Sequence, residues 1–226
     1  LKQLTADLDM VVICNPNNPT GKLIDKALLE QVVAKCKQLN IRILIDECFM
    51  DFVAEEKAYS MIPQLAANKQ LVILKAFTKT YAMPGLRLGY CLTADEALVL
   101  RLHEVGQDWN VSTPAQEAGI AALDETAYVA RAKALILKER RYLTNALQKC
   151  GAATYGSEAN YIFFKMPQPL DLKEQLAKKG FLIRSCANYH NLQGSYYRIA
   201  VKRHADNMRF AKALKEVHNA LTDGDN

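Results

Sequence analysis

A lysine and an arginine within residues 71–90 are the first residues whose types and spacing suggest chemistry. Lys79 follows an apolar run, and Arg87 follows a Pro-Gly turn. A lysine amine can bond covalently to an aldehyde, and a guanidinium can bind two phosphate oxygens at once. The pair therefore suits an aldehyde cofactor with a phosphate tail. A random lysine–arginine pair is more often two solvated surface charges, so the elements around these residues have to decide.

The elements around this lysine alternate between strands and helices. Apolar runs at 10–14, 41–45 and 71–74 predict buried strands. A single apolar stripe at 25–39 predicts a helix, and a weaker pattern predicts another at 59–68. This alternation indicates an α/β fold with a mainly parallel sheet and right-handed crossovers.

Polar residues follow all three predicted strands. Asn18 lies in a Pro-rich turn after the first strand, Asp46 ends the second, and Lys79 follows the third. In open α/β sheets, ligands bind beyond the carboxyl ends of the strands. A carboxylate without a partner is costly beside an apolar strand, which favours a function for Asp46. An asparagine in a turn needs no ligand to explain it, so Asn18 is weaker evidence.

The rest of the chain has a different character and predicts a small α+β lobe. A long helix is predicted at 125–147, with strands at 159–164, 181–184 and 196–201 and helices at 172–179 and from a cap at Asp206. We place the domain boundary between residues 124 and 125. Residues 1–124 then belong to a large domain, and 125–226 comprise a bridging helix and a small C-terminal domain.

The composition excludes several classes of function. The 226 residues are 50% hydrophobic and 23% charged, the balance of a soluble globular protein. The net charge of +5 is small and scattered, so we expect no nucleic-acid partner. No apolar run is long enough for a membrane span, and the first residues form no signal peptide. Six cysteines without paired spacing and four dispersed histidines predict a cytoplasmic protein with reduced thiols and no metal site.

Four short motifs together carry a resemblance to a known family. They are Asn17–Gly21, Asp46–Glu47, Thr78–Lys79 and Gly85–Gly89. In this order and spacing, the chain resembles the fold-type-I pyridoxal-phosphate (PLP) enzymes, in the class I/II aminotransferase branch near the histidinol-phosphate aminotransferases. The resemblance runs from Val11 to the last predicted helix. It implies the PLP-dependent transferase fold, with a sheet flanked by helices and a small C-terminal lobe.

Within that branch, three features resemble the threonine-phosphate decarboxylases of cobalamin biosynthesis. These are Arg184–Tyr189 followed by Tyr196–Ala200, and Asp51–Phe52 after the Asp-Glu motif. Phe49 stands where the aminotransferases usually have a tyrosine that hydrogen-bonds the phenolic oxygen of the cofactor. Phenylalanine lacks that donor, which favours the decarboxylases.

The resemblance implies pyridoxal 5′-phosphate as the cofactor and gives several residues a role toward it. Lys79 would hold it covalently, yield to the substrate amine and then carry a proton. Asp46 would keep the pyridine nitrogen protonated, so that the ring can accept an electron pair. Asn18 would donate to the phenolic oxygen. Arg87 would bind the phosphate bidentately, with Thr78 adding a hydroxyl.

Ala76 departs from the family pattern. The family often has a serine at this position, which gives the phosphate another donor. One anchoring hydrogen bond is then missing, a loss of roughly 1 kcal/mol if nothing replaces it.

The substrate implied by the resemblance is a small phosphorylated amino acid. Arg198 lies within a predicted strand, where an unpaired charge is expensive, and would bind the α-carboxylate. Arg184 would bind the phosphate, a second anion clamp that a plain amino-acid aminotransferase does not need. Asn160 and Tyr189 would line the pocket, although ordinary packing explains both residues equally well.

Three functional hypotheses follow. The first is PLP-dependent decarboxylation of L-threonine O-3-phosphate to (R)-1-amino-2-propanol O-2-phosphate, and the second is an aminotransferase of the histidinol-phosphate type. The two differ in substrate pose more than in residues. The third is an inactive fragment, because we find no counterpart of the family's N-terminal part with its glycine-rich loop and stacking aromatic residue. We expect a homodimer when the protein is full length.

Overall fold

A computed structural model describes residues 1–167, 171–192 and 194–222 of the chain. The chain divides into two compact units. The first comprises Leu1–Asn17 and Leu23–Ala132, and the second comprises Asn18–Lys22 and Lys133–Asn226. This division falls inside the long predicted helix, whereas the predicted domain boundary precedes that helix. The domain assignment stays a prediction.

A four-stranded sheet forms the centre of the first unit. Its strands are β1 (Met10–Cys14), β2 (Arg42–Asp46), β3 (Leu71–Ala76) and β4 (Gly89–Thr93), side by side in this order. The first three are parallel, and β4 is antiparallel to β3. The three apolar runs therefore form neighbouring parallel strands, as predicted.

The helices of the first unit are α1 (Lys26–Gln38), α2 (Glu56–Tyr59), α3 (Phe77–Thr80), α4 (Glu96–Val105) and α5 (Thr113–Leu123). α1 begins after Asp25, because the side chain of Asp25 accepts a hydrogen bond of 2.9 Å from the N–H of Leu28. Leu29 and Val33 on its buried face pack into one core with Ile43 of β2. Each such fully buried aliphatic side chain contributes about 1.5–3 kcal/mol to stability.

The predicted helix at 59–68 is wrong in detail. The chain forms a short 3-10 helix at Ile62–Ala67 instead. The buried carboxylate of Glu47 accepts hydrogen bonds from the hydroxyl of Ser60 and the N–H of Met61, both at 2.7 Å. The N–H of Met61 therefore donates to Glu47 and not to the carbonyl four residues earlier, so α-helical bonding does not continue through residue 61.

The second unit is an α+β lobe, as predicted, and its sheet is antiparallel. Its strands are β5 (Ala153–Thr154), β6 (Tyr161–Lys165), β7 (Arg184–Ser185) and β8 (Tyr196–Ala200), and they lie in the order β5-β6-β8-β7. The helices are α6 (Thr126–Lys149), which begins in the first unit, α7 (Leu172–Lys178) and α8 (His204–Thr222). Phe210, Leu214 and Val217 of α8 are buried, in line with the predicted apolar face.

Two predictions for the second unit are wrong in detail. The predicted strand at 181–184 shrinks to β7, because only its last residue and the one after it pair with β8. The last helix begins at His204, so Asp206 lies in its first turn and not at its cap. Asn207 ties the preceding chain to the helix, because its Oδ1 accepts a hydrogen bond of 3.1 Å from the N–H of Lys202.

Neither a membrane span nor a metal cluster is found in the described part of the chain. None of its helices is long and apolar enough to cross a bilayer. None of its His, Cys, Asp and Glu side chains form a group of three or more that could hold a metal ion.

Candidate active site

The carboxyl edge of the first sheet collects the predicted cofactor residues of the first unit. β1, β2 and β3 are parallel, so their carboxyl ends lie at one edge. Asp46 ends β2, and Phe49 follows shortly after it. Thr78 and Lys79 belong to α3, which directly follows β3. Arg87 precedes β4, which is antiparallel and therefore begins at this same edge.

The amine of Lys79 lies beside an aromatic ring. Its Nζ is 5.7 Å from the centroid of the Phe49 ring, a cation–π distance. Phe49 is 8% exposed and packs into the unit, whereas Lys79 is exposed. The lysine is therefore accessible and contacts a fixed aromatic surface that carries no hydroxyl group.

Asp46 is half-buried and holds the local chain in place. Its Oδ1 accepts a hydrogen bond of 2.9 Å from the N–H of Cys48, and its Oδ2 lies 3.9 Å from Sγ of Cys14. Burial, together with the charge and hydrogen bond of Asp46, raises the pKa of the Cys48 thiol to about 12. Cys48 is therefore a neutral thiol at physiological pH.

Arg87 and Ala76 determine what this edge can offer to a phosphate. Arg87 has a left-handed backbone conformation with φ of 55°, and its Nη1 donates a hydrogen bond of 3.2 Å to the carbonyl of Pro84. Its guanidinium is exposed and has further donors free of that bond. Ala76 is the N-cap residue of α3 and makes no side-chain capping bond. The edge thus has one guanidinium but lacks the hydroxyl that the family often places at position 76.

Two arginines lie directly opposite each other on adjacent strands of the second unit. Arg184 of β7 pairs with Arg198 of β8 in the antiparallel register, which places both side chains on one face of the sheet. The guanidinium of Arg198 lies 5.0 Å from the centroid of the Tyr161 ring. Like charges directly opposite each other destabilise a sheet, and an anion bound by both would remove that repulsion.

Asn18 and Tyr189 join Arg198 in a hydrogen-bonded cluster. Nη1 of Arg198 donates to Oδ1 of Asn18, and the hydroxyl of Tyr189 donates to the same oxygen at 3.3 Å. Neither contact uses the amide N–H groups of Asn18, which are the donors needed for its predicted role. Asn160 precedes β6, and its carbonyl accepts from the N–H of Val201 at 2.9 Å. Among the described residues, the side chain of Asn160 does not join this cluster.

The loop that carries Asn18 is fixed by Gly21. The carbonyl of Gly21 accepts a hydrogen bond of 2.8 Å from the N–H of Glu158. Gly21 has φ of 70°, and a Cβ at this position would lie 2.0 Å from Oγ of Ser157. Sequence reasoning missed Ser157 and Tyr161, because these partners lie far along the chain from the loop and from Arg198 and no local pattern marks them.

Comparison with known proteins establishes the class. The sequence model of the aminotransferase class I and II family matches residues 1–214, so the chain belongs to this family. The family resemblance predicted from the motifs is thereby confirmed.

Individual relatives come from two groups of enzymes. The chain is 37% identical to the threonine-phosphate decarboxylase of Salmonella typhimurium, an alignment that covers 100% of this chain and 62% of the relative. It is 32% identical to the histidinol-phosphate aminotransferase of Methylobacillus flagellatus, covering 96% of this chain and 58% of the relative. The chain therefore spans about three fifths of the length of these curated relatives.

Solved structures give the same two groups. The histidinol-phosphate aminotransferase of Clostridium acetobutylicum aligns with a TM-score of 0.90 and 32% identity, over 95% of this chain and 65% of that one. The L-threonine-O-3-phosphate decarboxylase of Porphyromonas gingivalis aligns with a TM-score of 0.80 and 25% identity, over 95% and 67%. The predicted PLP-dependent transferase fold is confirmed.

The groups at the carboxyl edge fit pyridoxal 5′-phosphate, the cofactor that family membership indicates. Lys79 offers an exposed amine to an aldehyde, and Asp46 offers a half-buried carboxylate to a protonated ring nitrogen. Within the described residues Asp46 forms no ion pair, so its charge is not already neutralised. Arg87 and Thr78 are suited to a phosphate. The individual roles stay predictions.

Proposed function

We propose that this protein is a PLP-dependent lyase that decarboxylates L-threonine O-3-phosphate to (R)-1-amino-2-propanol O-2-phosphate in cobalamin biosynthesis. The observation that carries the proposal is the cross-strand pair of Arg184 and Arg198. The substrate has two anionic groups, a carboxylate and a phosphate, and the pair offers one guanidinium to each. The 37% identity to a threonine-phosphate decarboxylase supports the same reaction.

In the first unit, we assign the binding of the cofactor to the carboxyl edge of the sheet. Lys79 would bond to the aldehyde, Asp46 would keep the ring nitrogen protonated, and Arg87 with Thr78 would bind the phosphate. Phe49 would present an apolar surface beside Lys79. When bound, the cofactor supplies an electron sink for the pair released at the α-carbon of the substrate.

In the second unit, we assign Arg198 to the substrate carboxylate and Arg184 to its phosphate. The Arg198 guanidinium contacts both Asn18 and the Tyr161 ring, so it would bind an anion with little further loss of side-chain freedom. The hydroxyl of Tyr189 donates a hydrogen bond to the same oxygen of Asn18 and so helps to fix its position. We propose that Asn160, which directly precedes β6, lines the substrate pocket.

The protein's own groups would then complete the reaction. The bond to the carboxylate breaks with its electron pair left on the α-carbon, and carbon dioxide departs. Nζ of Lys79 is our candidate for returning a proton to that carbon. Phe49 has no hydroxyl group. It would therefore not donate a hydrogen bond to the phenolic oxygen of the cofactor, as a tyrosine at that position does in the aminotransferases.

A second candidate function is an aminotransferase of the histidinol-phosphate type. It is favoured by the TM-score of 0.90 to such an enzyme and by 32% identity to another. Phe49 counts against it, because the aminotransferases usually have a tyrosine at that position. We also propose that the protein acts as a homodimer in the cytoplasm, as we expect from its family.

The deciding experiment supplies the purified protein with PLP and carboxyl-labelled L-threonine O-3-phosphate. We expect labelled carbon dioxide and aminopropanol phosphate in equal amounts, with no keto acid and no need for 2-oxoglutarate. Transamination of histidinol phosphate that depends strictly on 2-oxoglutarate, without gas release, would reject the decarboxylase. Lys79→Ala should abolish turnover, whereas Lys57→Ala, at an exposed lysine of α2, should not.

A separate measurement tests the third hypothesis, that this chain is an inert fragment. PLP is added, the bond is reduced with borohydride, and the labelled peptide is identified by mass spectrometry. Selective labelling of Lys79 would show that the chain binds the cofactor even if turnover is absent. Labelling spread evenly over the exposed lysines would support the inert fragment.

A further inference from the structure

The side chain of Asp51 bridges two elements that present Lys79. Asp51 belongs to the 3-10 turn Met50–Phe52 that follows β2. One of its oxygens forms an ion pair with Nζ of Lys75, and the other accepts a hydrogen bond from the hydroxyl of Thr80. Lys75 lies near the end of β3 and Thr80 ends α3. The two bonds therefore lie on either side of Lys79 in the sequence.

The short helix α3 depends on contacts of this kind. It is a single turn from Phe77 to Thr80, and its N-cap residue makes no side-chain capping bond. Helices of this length are unstable in isolation. The Phe77 ring stacks on Tyr81 with centroids 5.1 Å apart, but apolar packing is non-directional. The bonds to Asp51, in contrast, fix particular atoms relative to β3.

The ion pair is shielded from water. The side chain of Lys75 is 10% exposed and that of Asp51 is 19% exposed. Burial by itself lowers the pKa of Lys75, but the charge and hydrogen bond of Asp51 outweigh it and raise the pKa above its ordinary value. Lys75 is therefore a charged partner for Asp51 at physiological pH.

A cavity of about 310 Å³ lies next to this cluster. Its lining includes Asp51, Lys75, Thr80, Tyr81 and Tyr90. Because protein interiors are otherwise close-packed, this space leaves α3 room to shift unless it is held by directional bonds.

We propose that Asp51 is a positioning residue for Lys79. By binding the end of β3 and the end of α3 with its two carboxylate oxygens, it keeps the Lys79 amine in one place beside Phe49. The inference rests on the proposed function, in which Lys79 is the group that bonds to the cofactor. It assigns Asp51 no contact with substrate or cofactor.

The test compares variants that remove one bond at a time. Thr80→Val removes only the hydroxyl donor at nearly constant shape, whereas Thr80→Ser keeps the hydroxyl and removes the methyl group. Asp51→Asn removes the charge. The matched control is Asp95→Asn, because Asp95 pairs with Arg42 at 2.9 Å with a side-chain exposure of 15%, close to that of Asp51. Arg42 begins β2, so this control lies at the opposite edge of the sheet.

The first measurement is the rate of PLP labelling at Lys79 relative to exposed Lys57 in the same sample. We expect Thr80→Val and Asp51→Asn to lower this ratio about tenfold, the equivalent of one lost hydrogen bond. Thr80→Ser and Asp95→Asn should leave it unchanged. Because unfolding would also bring the ratio toward one, the ratio is compared only among variants whose thermal unfolding shows that they are folded at the assay temperature.

The second measurement is amide hydrogen exchange at Tyr81 and Ala82. Their N–H groups donate to the carbonyls of Phe77 at 3.2 Å and Lys79 at 3.3 Å. Exchange at both should accelerate about tenfold in Thr80→Val, and not in Thr80→Ser or Asp95→Asn. All measurements are made on the full chain under conditions in which it is folded. If Asp51→Asn does not fold, Thr80→Val still tests the inference, because it removes the hydrogen bond from Thr80 to Asp51.

Two outcomes would overturn the inference. One is unchanged exchange in Thr80→Val, which would mean that Asp51 does not hold α3. The other is faster exchange with an unchanged labelling ratio, which would mean that the bonds stabilise the turn without positioning Lys79. If Lys79 of the unaltered protein shows no selective labelling, the proposed function fails, and the exchange comparison then decides by itself whether Asp51 holds the segment around Lys79.

Discussion

Ala76 ends β3 and is at the same time the N-cap residue of α3. A serine at such a position can accept a hydrogen bond from an N–H of the first helical turn. Its own hydroxyl hydrogen remains available for a phosphate oxygen. Alanine can do neither, so a single missing oxygen weakens both the local turn and the phosphate site that we assign to this edge.

We therefore predict that Ala76→Ser strengthens cofactor binding. The dissociation constant for PLP should fall about fivefold, which corresponds to roughly 1 kcal/mol from one added hydrogen bond. The melting temperature of the cofactor-free protein should rise by about 2–4 °C through the new cap. Absorbance titration and thermal unfolding measure the two effects. Ala58→Ser in α2, at an exposed site, is the control, and an unchanged dissociation constant would contradict the assignment of the phosphate site.

The arginine pair of the second unit predicts opposite effects on binding and on folding. Arg184→Gln removes the proposed partner of the substrate phosphate and should raise KM about 10- to 100-fold, since a charged hydrogen bond contributes about 1.5–3 kcal/mol. It also removes a cross-strand repulsion with Arg198, so the ligand-free protein should unfold at the same or a higher temperature. Steady-state kinetics and calorimetry test both. Arg203→Gln, at an arginine whose side chain is 85% exposed, should change neither quantity; a loss of stability in Arg184→Gln would indicate a structural arginine.

Among the secondary-structure elements, α6 and α8 are joined by a buried polar contact. Glu139 of α6 is 1% exposed. Its carboxylate accepts a hydrogen bond of 2.9 Å from Nδ2 of Asn207, and Nδ1 of His204 lies 3.0 Å from it. Burial alone would raise the pKa of Glu139, but the bonds to Asn207 and His204 outweigh it, and the pKa lies below its ordinary value. The charged carboxylate is thus the form that the fold favours.

This contact predicts a pH-dependent stability. The folded pKa of Glu139 is lowered, so its contribution is fully present above the unfolded glutamate pKa of about 4.3 and is lost as the pH falls through the folded pKa. Glu139→Gln should reduce the free energy of unfolding by about 1–2 kcal/mol at neutral pH. The difference from the unaltered protein should shrink below a pH of about 4. Urea unfolding over a pH series measures it, with Glu117→Gln at an exposed position of α5 as the control. A constant difference across that range would contradict the assignment.

The elements that sequence analysis predicted well are those with a local signal. The apolar runs of β1, β2 and β3 and the apolar stripe of α1 are local patterns that predict buried elements. Because parallel strands end at one edge of a sheet, the placement of Asp46 and Lys79 at that edge could be predicted as well. Asp206 looked like a cap, but Asn207 ties the start of α8 to the preceding chain. The roles of Asp51 and Glu139 depend on partners distant in sequence. No pattern along the chain could predict those contacts.

At the scale of the whole molecule, the chain leaves the first unit for a short segment and then returns. Residues 18–22 belong to the second unit, although the residues on both sides belong to the first. The segment is anchored through Gly21, whose carbonyl accepts from the N–H of Glu158. It carries Asn18, which hydrogen-bonds Arg198. The turn that carries the family motif therefore contacts Arg198 of the second unit, to which we assign the substrate carboxylate.

A substitution at Gly21 tests this organisation, and Gly156 supplies a matched control. Both glycines have positive φ, 70° and 76°, so alanine strains the backbone similarly at each position. A Cβ at Gly21 would lie 2.0 Å from Oγ of Ser157, whereas a Cβ at Gly156 meets nothing within 4 Å. Gly21→Ala should therefore destabilise the protein by about 1–3 kcal/mol more than Gly156→Ala, the usual penalty of overpacking.

The same pair of variants separates stability from function. Displacing the segment 18–22 should withdraw Asn18 from Arg198 and leave that guanidinium less ordered. KM for threonine phosphate should then rise in Gly21→Ala, by about tenfold for one lost charged hydrogen bond, while Gly156→Ala keeps the KM of the unaltered protein. Kinetics are compared at a temperature where both variants are folded. Equal melting temperatures for the two variants would argue against the tight fit of Gly21 on Ser157, and an unchanged KM in Gly21→Ala would argue that Asn18 does not orient Arg198.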